Sequence, residues 1–142
     1  MGLTRVQVES LFASIDGKHT VFRLVSKEKG VPRTLGNDKR LFTVVEISGS
    51  PQVVDVQVVT VLDTGNKSIL ENQVVYDSLT CRDFGTVAAQ KWCLGRILNT
   101  SQSGLKDATK TAIFNGLNMT VRTYHAPHNS TAPLVSIDIS AA

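Results

Sequence analysis

The stretch KRLFTVVEISGSPQVVDVQVVTVL, residues 39–62, decides the fold class. Apolar side chains recur at every second position and β-branched Val, Ile and Thr dominate, which is the pattern of a pleated, half-buried strand. Gly49-Ser50-Pro51 interrupts the alternation, so the stretch predicts two antiparallel strands, about Arg40 to Ser48 and Val53 to Leu62, joined as a hairpin. In the second strand Val54, Val56, Val58, Thr60 and Leu62 share one face, the better candidate for the core.

The alternation extends outward in both directions. Val6 and Val8 alternate with Arg5, Gln7 and Glu9, Asp16-Gly17 is a tight-turn signal, and His19 to Ser26 alternates again, which predicts an N-terminal hairpin. Lys27 to Lys39 carries Gly30, Pro32, Gly36 and Asn37 and reads as an exposed connection. Asp63-Thr64-Gly65-Asn66 is a turn. Beyond it, Lys67 to Leu79 predicts a fifth strand, with Leu70, Val74 and Tyr76 on one side and Glu71, Gln73 and Asp77 on the other.

The period then changes from two to 3.6. From Asp83, a candidate N-cap, Phe84, Val87, Ala88, Leu94, Ile97 and Leu98 recur at helical spacing. A break at 99–104 separates this helix from a second one, marked by Leu105, Ala108, Ala112, Ile113 and Leu117. Two short alternating pieces, Met119 to Tyr124 and Leu134 to Ile139, close the series as late strands. The fold class expected is α+β: an antiparallel sheet of five or more strands, two C-terminal helices and a short extra β tail. Residues 1–117 would form the sheet-plus-helices domain and 118–142 a C-terminal extension of it. A sheet with one apolar face must cover it, either with its own helices or with a second copy of the chain.

Composition fits a packed globular chain: of 142 residues 42% are hydrophobic and 19% charged, enough apolar surface for a core. No apolar run approaches the roughly 18 residues a membrane helix needs, so no membrane partner is expected. The first residues lack the charged start and apolar centre of a secretory signal, and the chain is expected to stay in the compartment where it is made. The net charge is +3, unevenly spread: Lys18 to Arg40 holds seven basic residues against two acidic ones, whereas Leu41 to Thr80 holds one against five. A polyanion would meet a mixed surface.

No catalytic constellation stands out. There is no Gly-x-Ser-x-Gly turn for a nucleophile and no Gly-rich phosphate loop. His125 and His128 share a Pro-containing segment without the further ligands a metal demands, and His19 stands apart. Cys81 and Cys93 are too few for a disulfide framework or a tetrahedral metal site, and read as small buried hydrophobes, with a bond between subunits left open. Trp92 and Tyr76 read as core. No enzyme activity, metal or cofactor is expected.

An N-terminal hairpin, the hairpin Lys39 to Val59, a strand ending in Tyr76 and then two helices together resemble the coat proteins of single-stranded RNA bacteriophages, the leviviruses, over about residues 3–117. The resemblance implies an interlocked homodimer, sheets joined edge to edge and helices packed across the partner's sheet. Such dimers would build an icosahedral shell around genomic RNA, assembled in the bacterial host cytoplasm, and in several members bind an RNA hairpin that represses translation. By the same resemblance the inward face would carry Asp55, Gln57 and Val59 beside Arg40, Phe42, Val44 and Glu46, joined by Lys67, Glu71 and Gln73. The RNA-binding candidates are Arg23, Lys27, Arg40, Gln57, Lys67 and Gln73, with Arg23, Lys27 and Arg40 on phosphates. Two alternatives without RNA remain: a tailed-phage tail or connector subunit, and a monomeric ligand-binding α+β domain.

Overall fold

The computed structural model describes residues 2–16, 24–28, 43–49, 51–62, 67–102, 108–126 and 129–142. Its elements run α1 (Arg5–Asp16), β1 (Leu24–Glu28), β2 (Thr43–Ser48), β3 (Asp55–Val61), α2 (Lys67–Phe84), α3 (Val87–Gln102), β4 (Ala108–Phe114), β5 (Leu117–Ala126) and β6 (Asn129–Ala141). One six-stranded sheet has the order β1-β2-β3-β6-β5-β4. Five strands, β2 to β4 across that order, are antiparallel to their neighbours, and β1 joins β2 in parallel. The α+β class and a sheet of five or more strands are as expected.

The hairpin that decided the class is present: β2 and β3 pair antiparallel from Thr43↔Thr60 to Ser48↔Asp55. Gly49 starts the connection at φ +100°, where a Cβ would collide with the Gln52 carbonyl, so only glycine fits. Val56, Val58, Thr60 and Leu62 are buried as predicted, but Val54, which precedes β3, is 59% exposed.

The N-terminal hairpin is not formed. Residues 5–16 are helical because Val8 and Phe12 stack one turn apart into the core while Val6 points away, 71% exposed. Thr4 and Gln7 form a capping box: the Gln7 N–H donates to Thr4 Oγ1 at 3.2 Å and the Thr4 N–H to Gln7 Oε1 at 2.9 Å. The helix start is tied to residues 51–53, where the Arg5 N–H donates to the Pro51 carbonyl at 2.9 Å and the Val53 N–H to that of Leu3 at 3.0 Å.

The predicted fifth strand is instead α2. Leu70 and Val74 lie one turn apart and fit a helix as well as an alternating strand, Tyr76 is buried on another side of that helix, and no Gly or Pro interrupts the 18 residues. The segment from Gln73 is buried almost all round, Val75 excepted, and such a helix loses the polar face that periodicity detects. The first predicted helix is α3, but its N-cap is Thr86, whose Oγ1 accepts the Ala89 N–H at 3.1 Å, rather than Asp83. The second predicted helix is β4 plus a turn: Asn115 and Gly116 both take positive φ, 53° and 72°, the two-residue hairpin geometry that Asn-Gly favours. Helices α2 and α3 therefore lie mid-chain.

The late strands are present and longer than expected. They are no appendage: β6 lies between β3 and β5, pairing with both, and the 117/118 boundary falls at the start of β5.

All three helices cover one face of the sheet. Val45, Ile47, Val56, Val58, Ile137, Ile139, Met119 and Val121 meet Val8, Phe12, Val74, Phe84, Ala89 and Ile97 in one core. Phe12 packs on Phe84 with ring centroids 5.6 Å apart, and Trp92 on Phe114 at 5.5 Å.

Candidate functional site

Strand alternation leaves the second sheet face without a helix, and that face is polar. β3 brings Asp55, Gln57 and Val59 to it, each half-buried. Gln57 stands in register between Glu46 of β2 and Asp138 of β6, and Asp138 in turn opposes Thr120 of β5. At the other end of β5 the guanidinium of Arg122 lies 4.2 Å from the centre of the Tyr124 ring, a cation–π pair that holds one positive charge over an aromatic surface. Thr111 and Thr120 hydroxyls meet at 3.0 Å. Three carboxylates, Glu46, Asp55 and Asp138, share this face with Arg122.

The sheet ends at β4, with no described strand beyond it. Phe114 and Leu117 flank a two-residue turn and so exchange both backbone hydrogen bonds. Ala112, Lys110 and Ala108 follow the same parity toward β5. The backbone N–H and C=O groups of Thr109, Thr111 and Ile113 consequently point away from the sheet, and all three residues are exposed, Ile113 by 64%.

A polar seam lies beneath, between β3 and α2. Gln73 Nε2 donates to the Val61 carbonyl at 2.7 Å and Thr60 Oγ1 to Asp77 Oδ1 at 2.8 Å. Asp77 Oδ2 makes no hydrogen bond among the described residues. Burial pushes the Asp77 carboxyl up to about 7, against the smaller opposing pull of the Thr60 hydroxyl. One helical turn on lies Cys81, and α3 carries Cys93; both are buried, and hydrogen bonding with Cys81, burial and the nearby Cys81 and Asp77 push the Cys93 thiol up.

Of the predicted RNA contacts, the described Gln57, Lys67 and Gln73 do not share one face. Gln57 is on the polar face, together with Asp55, Val59 and Glu46, as expected. Lys27 occupies β1 in register with Glu46. Lys67 is exposed but opens α2, so it shares no strand face with Gln57. Gln73 is fully buried and its amide is engaged by Val61, which removes it from any external ligand. Arg23, Arg40 and Phe42 lie outside the described residues, as do His19 and His128, while His125 stands on β5. Sequence reasoning missed Arg122 and Tyr124, two positions apart in an alternating segment and hence on one face. Among the described residues no cluster of three or more His, Cys, Asp or Glu could hold a metal ion, and no helix is long and apolar enough to cross a membrane. Comparison with protein-family models, with curated proteins and with solved structures finds no match.

Proposed function

We propose that this chain is a structural subunit without catalytic activity that self-associates through its sheet edge, as the coat protein of a single-stranded RNA bacteriophage particle. What carries this reading is the outer edge of β4: seven residues without Pro or bulge, with unpaired backbone groups at Thr109, Thr111 and Ile113. An edge of this kind is a template for another strand, and soluble proteins usually blunt it.

The edge is self-complementary. A two-fold axis through Thr111 sets residues 108–114 against their copy, with Thr109 opposite Ile113 and Lys110 opposite Ala112, so the two Lys110 charges do not face each other. The result is a sheet of two halves with the helices of both chains on one side. The apolar face is sheltered inside each chain by α1, α2 and α3, so interlocking is confined to α3 lying beside its copy through the Trp92 and Phe114 end. The polar face then turns to the particle interior, where Arg122 draws RNA phosphates, with affinity that falls as salt rises.

A second reading, the RNA-free tail or connector subunit, is favoured by Glu46, Asp55 and Asp138 on that same face, since carboxylates repel a polyanion. Expression of the full chain followed by size exclusion, absorbance at 260 and 280 nm and electron microscopy separates the two. Round RNA-rich particles are expected; rings or tubes free of RNA would establish the second reading, and a monomer would refute both.

A further inference from the structure

We propose that Asn115-Gly116, the turn between β4 and β5, is a self-modification site, where the chain loses ammonia through a cyclic imide and is left with an isoaspartyl link that the turn cannot hold. It is the single Asn-Gly pair in the sequence. Phe114 and Leu117 exchange the backbone bonds that close the turn, so the Gly116 N–H points outward. Both turn residues are exposed, and neither the Asn115 side-chain amide nor the Gly116 N–H is engaged by a described residue. A Cβ placed on Gly116 would meet nothing within 4 Å. Electrophile and nucleophile are thus adjacent in the chain, unhindered and in contact with water.

The fold decides when they meet. Ring closure needs the Gly116 nitrogen and the Asn115 Cγ on the same side of the Asn115 Cα–C bond. A left-handed residue in a two-residue hairpin turn, as Asn115 is at φ 53°, sets them on opposite sides. The pair therefore reacts when the turn swings open, which also parts the Ala142 N–H from the Gly116 carbonyl, 3.1 Å apart in the closed form. β4 is the strand that lets go, since among the described strands it is bonded to β5 alone, and local opening at a sheet edge costs far less than global unfolding. In the open form the Gly116 nitrogen attacks Cγ, the Cγ–Nδ2 bond breaks, and ammonia leaves with the Gly116 proton. Water then opens the five-membered imide. Attack at Cγ restores the ordinary backbone with an aspartate at 115. Attack at the former backbone carbonyl frees it as a carboxylate and routes the chain through Cγ, one methylene longer. That longer link no longer fits a two-residue turn with Phe114 and Leu117 in register, so each such event loosens the β4 edge irreversibly. The site belongs to the hairpin and does not depend on the coat reading.

The test is ageing of the full chain at body temperature in buffers of rising pH, folded and, in parallel, unfolded in urea, followed by intact mass and peptide mapping. Expected is a species about 1 Da heavier, mapped to the peptide that holds Asn115 and mostly isoaspartyl, which forms about tenfold or more slowly in the folded chain than in urea. Its formation should quicken as pH rises, because the attacking nitrogen must shed its proton. Asn115→Gln, aged in urea where folding plays no part, should abolish the change in that peptide. The isoaspartyl fraction, separated by ion exchange, should melt below the parent by roughly 2 to 8 °C. An Asn115 that stays intact in the folded chain while the unfolded chain reacts, equal rates in the two, conversion of another asparagine first, or an isoaspartyl form that melts with the parent would overturn the proposal.

Discussion

Thr60, on the central strand β3, donates its hydroxyl to Asp77 of α2 across 2.8 Å, and both residues are buried. The bond joins helix to sheet through a group that is costly to ionise there. The Asp77 carboxyl, near 3.8 in its ordinary state, stands at about 7 in the fold. Between those values the unfolded chain has lost the proton and the folded chain has kept it, so stability falls as pH rises from about 4 to about 7 and is level beyond. The full fall is at most about 4 kcal/mol. Asp77→Asn keeps an acceptor for Thr60 and removes the titration. Its guanidinium midpoint should exceed that of the unmodified chain at pH 8 and match it more closely at pH 5. Parallel pH profiles for the two proteins would contradict the assignment.

Gln73→Leu keeps the side-chain volume but deletes the amide that donates to the Val61 carbonyl. A lost partner to a part-buried carbonyl costs about 1–3 kcal/mol, read as a lower denaturant midpoint at unchanged slope. RNA content per assembled chain should stay the same, because this residue reaches no ligand.

Gly85→Ala places a methyl 2.7 Å from Met119 Cε and 2.9 Å from the Cys81 carbonyl oxygen. The methionine end can swing aside, whereas the backbone oxygen cannot, so the substitution should cost about 1–3 kcal/mol by urea denaturation. A variant as stable as the parent would mean that the α2–α3 corner opens freely.

Thr111→Lys adds a charge at the proposed two-fold, where it would face its own copy. Like charges directly opposite in a strand pair are destabilising, so sedimentation should register a shift from dimer toward monomer while the melting temperature of the monomer stays within a degree or two. Dimers that survive the substitution would move the interface elsewhere.

The central hairpin and the two late strands were legible because alternation there coincides with a one-sided burial pattern, Val56 and Val58 in, Asp55 and Gln57 half out. The same alternation misled at Val6 and Val8 and again from Leu70 to Tyr76, since apolar residues two apart also occur on different sides of a helix, as Val6, exposed, and Val8, buried, do. The capping pair Thr4 and Gln7 was the signal that would have resolved the first. Asn115-Gly116 was the one that would have turned the second expected helix into a hairpin. Burial of Gln73 had no local signature, because it depends on which carbonyl of β3 α2 happens to cross. The polar face was partly readable: Gln57, Asp55 and Glu46 follow from the hairpin register, whereas Arg122 and Tyr124 join them only once β6 inserts between β3 and β5.

That insertion sets a schedule. While a ribosome is still making residues up to Phe114, the segments β1 to β3 have one neighbour still missing along β3, and β4 has none at all. The two halves meet only when residues 134–140, which touch β3 and β5 together, have emerged. Such long-range pairing is slow to form, so the nascent chain spends its synthesis with raw strand borders on display, and conditions that delay its last segment should raise aggregation more than any change to its first.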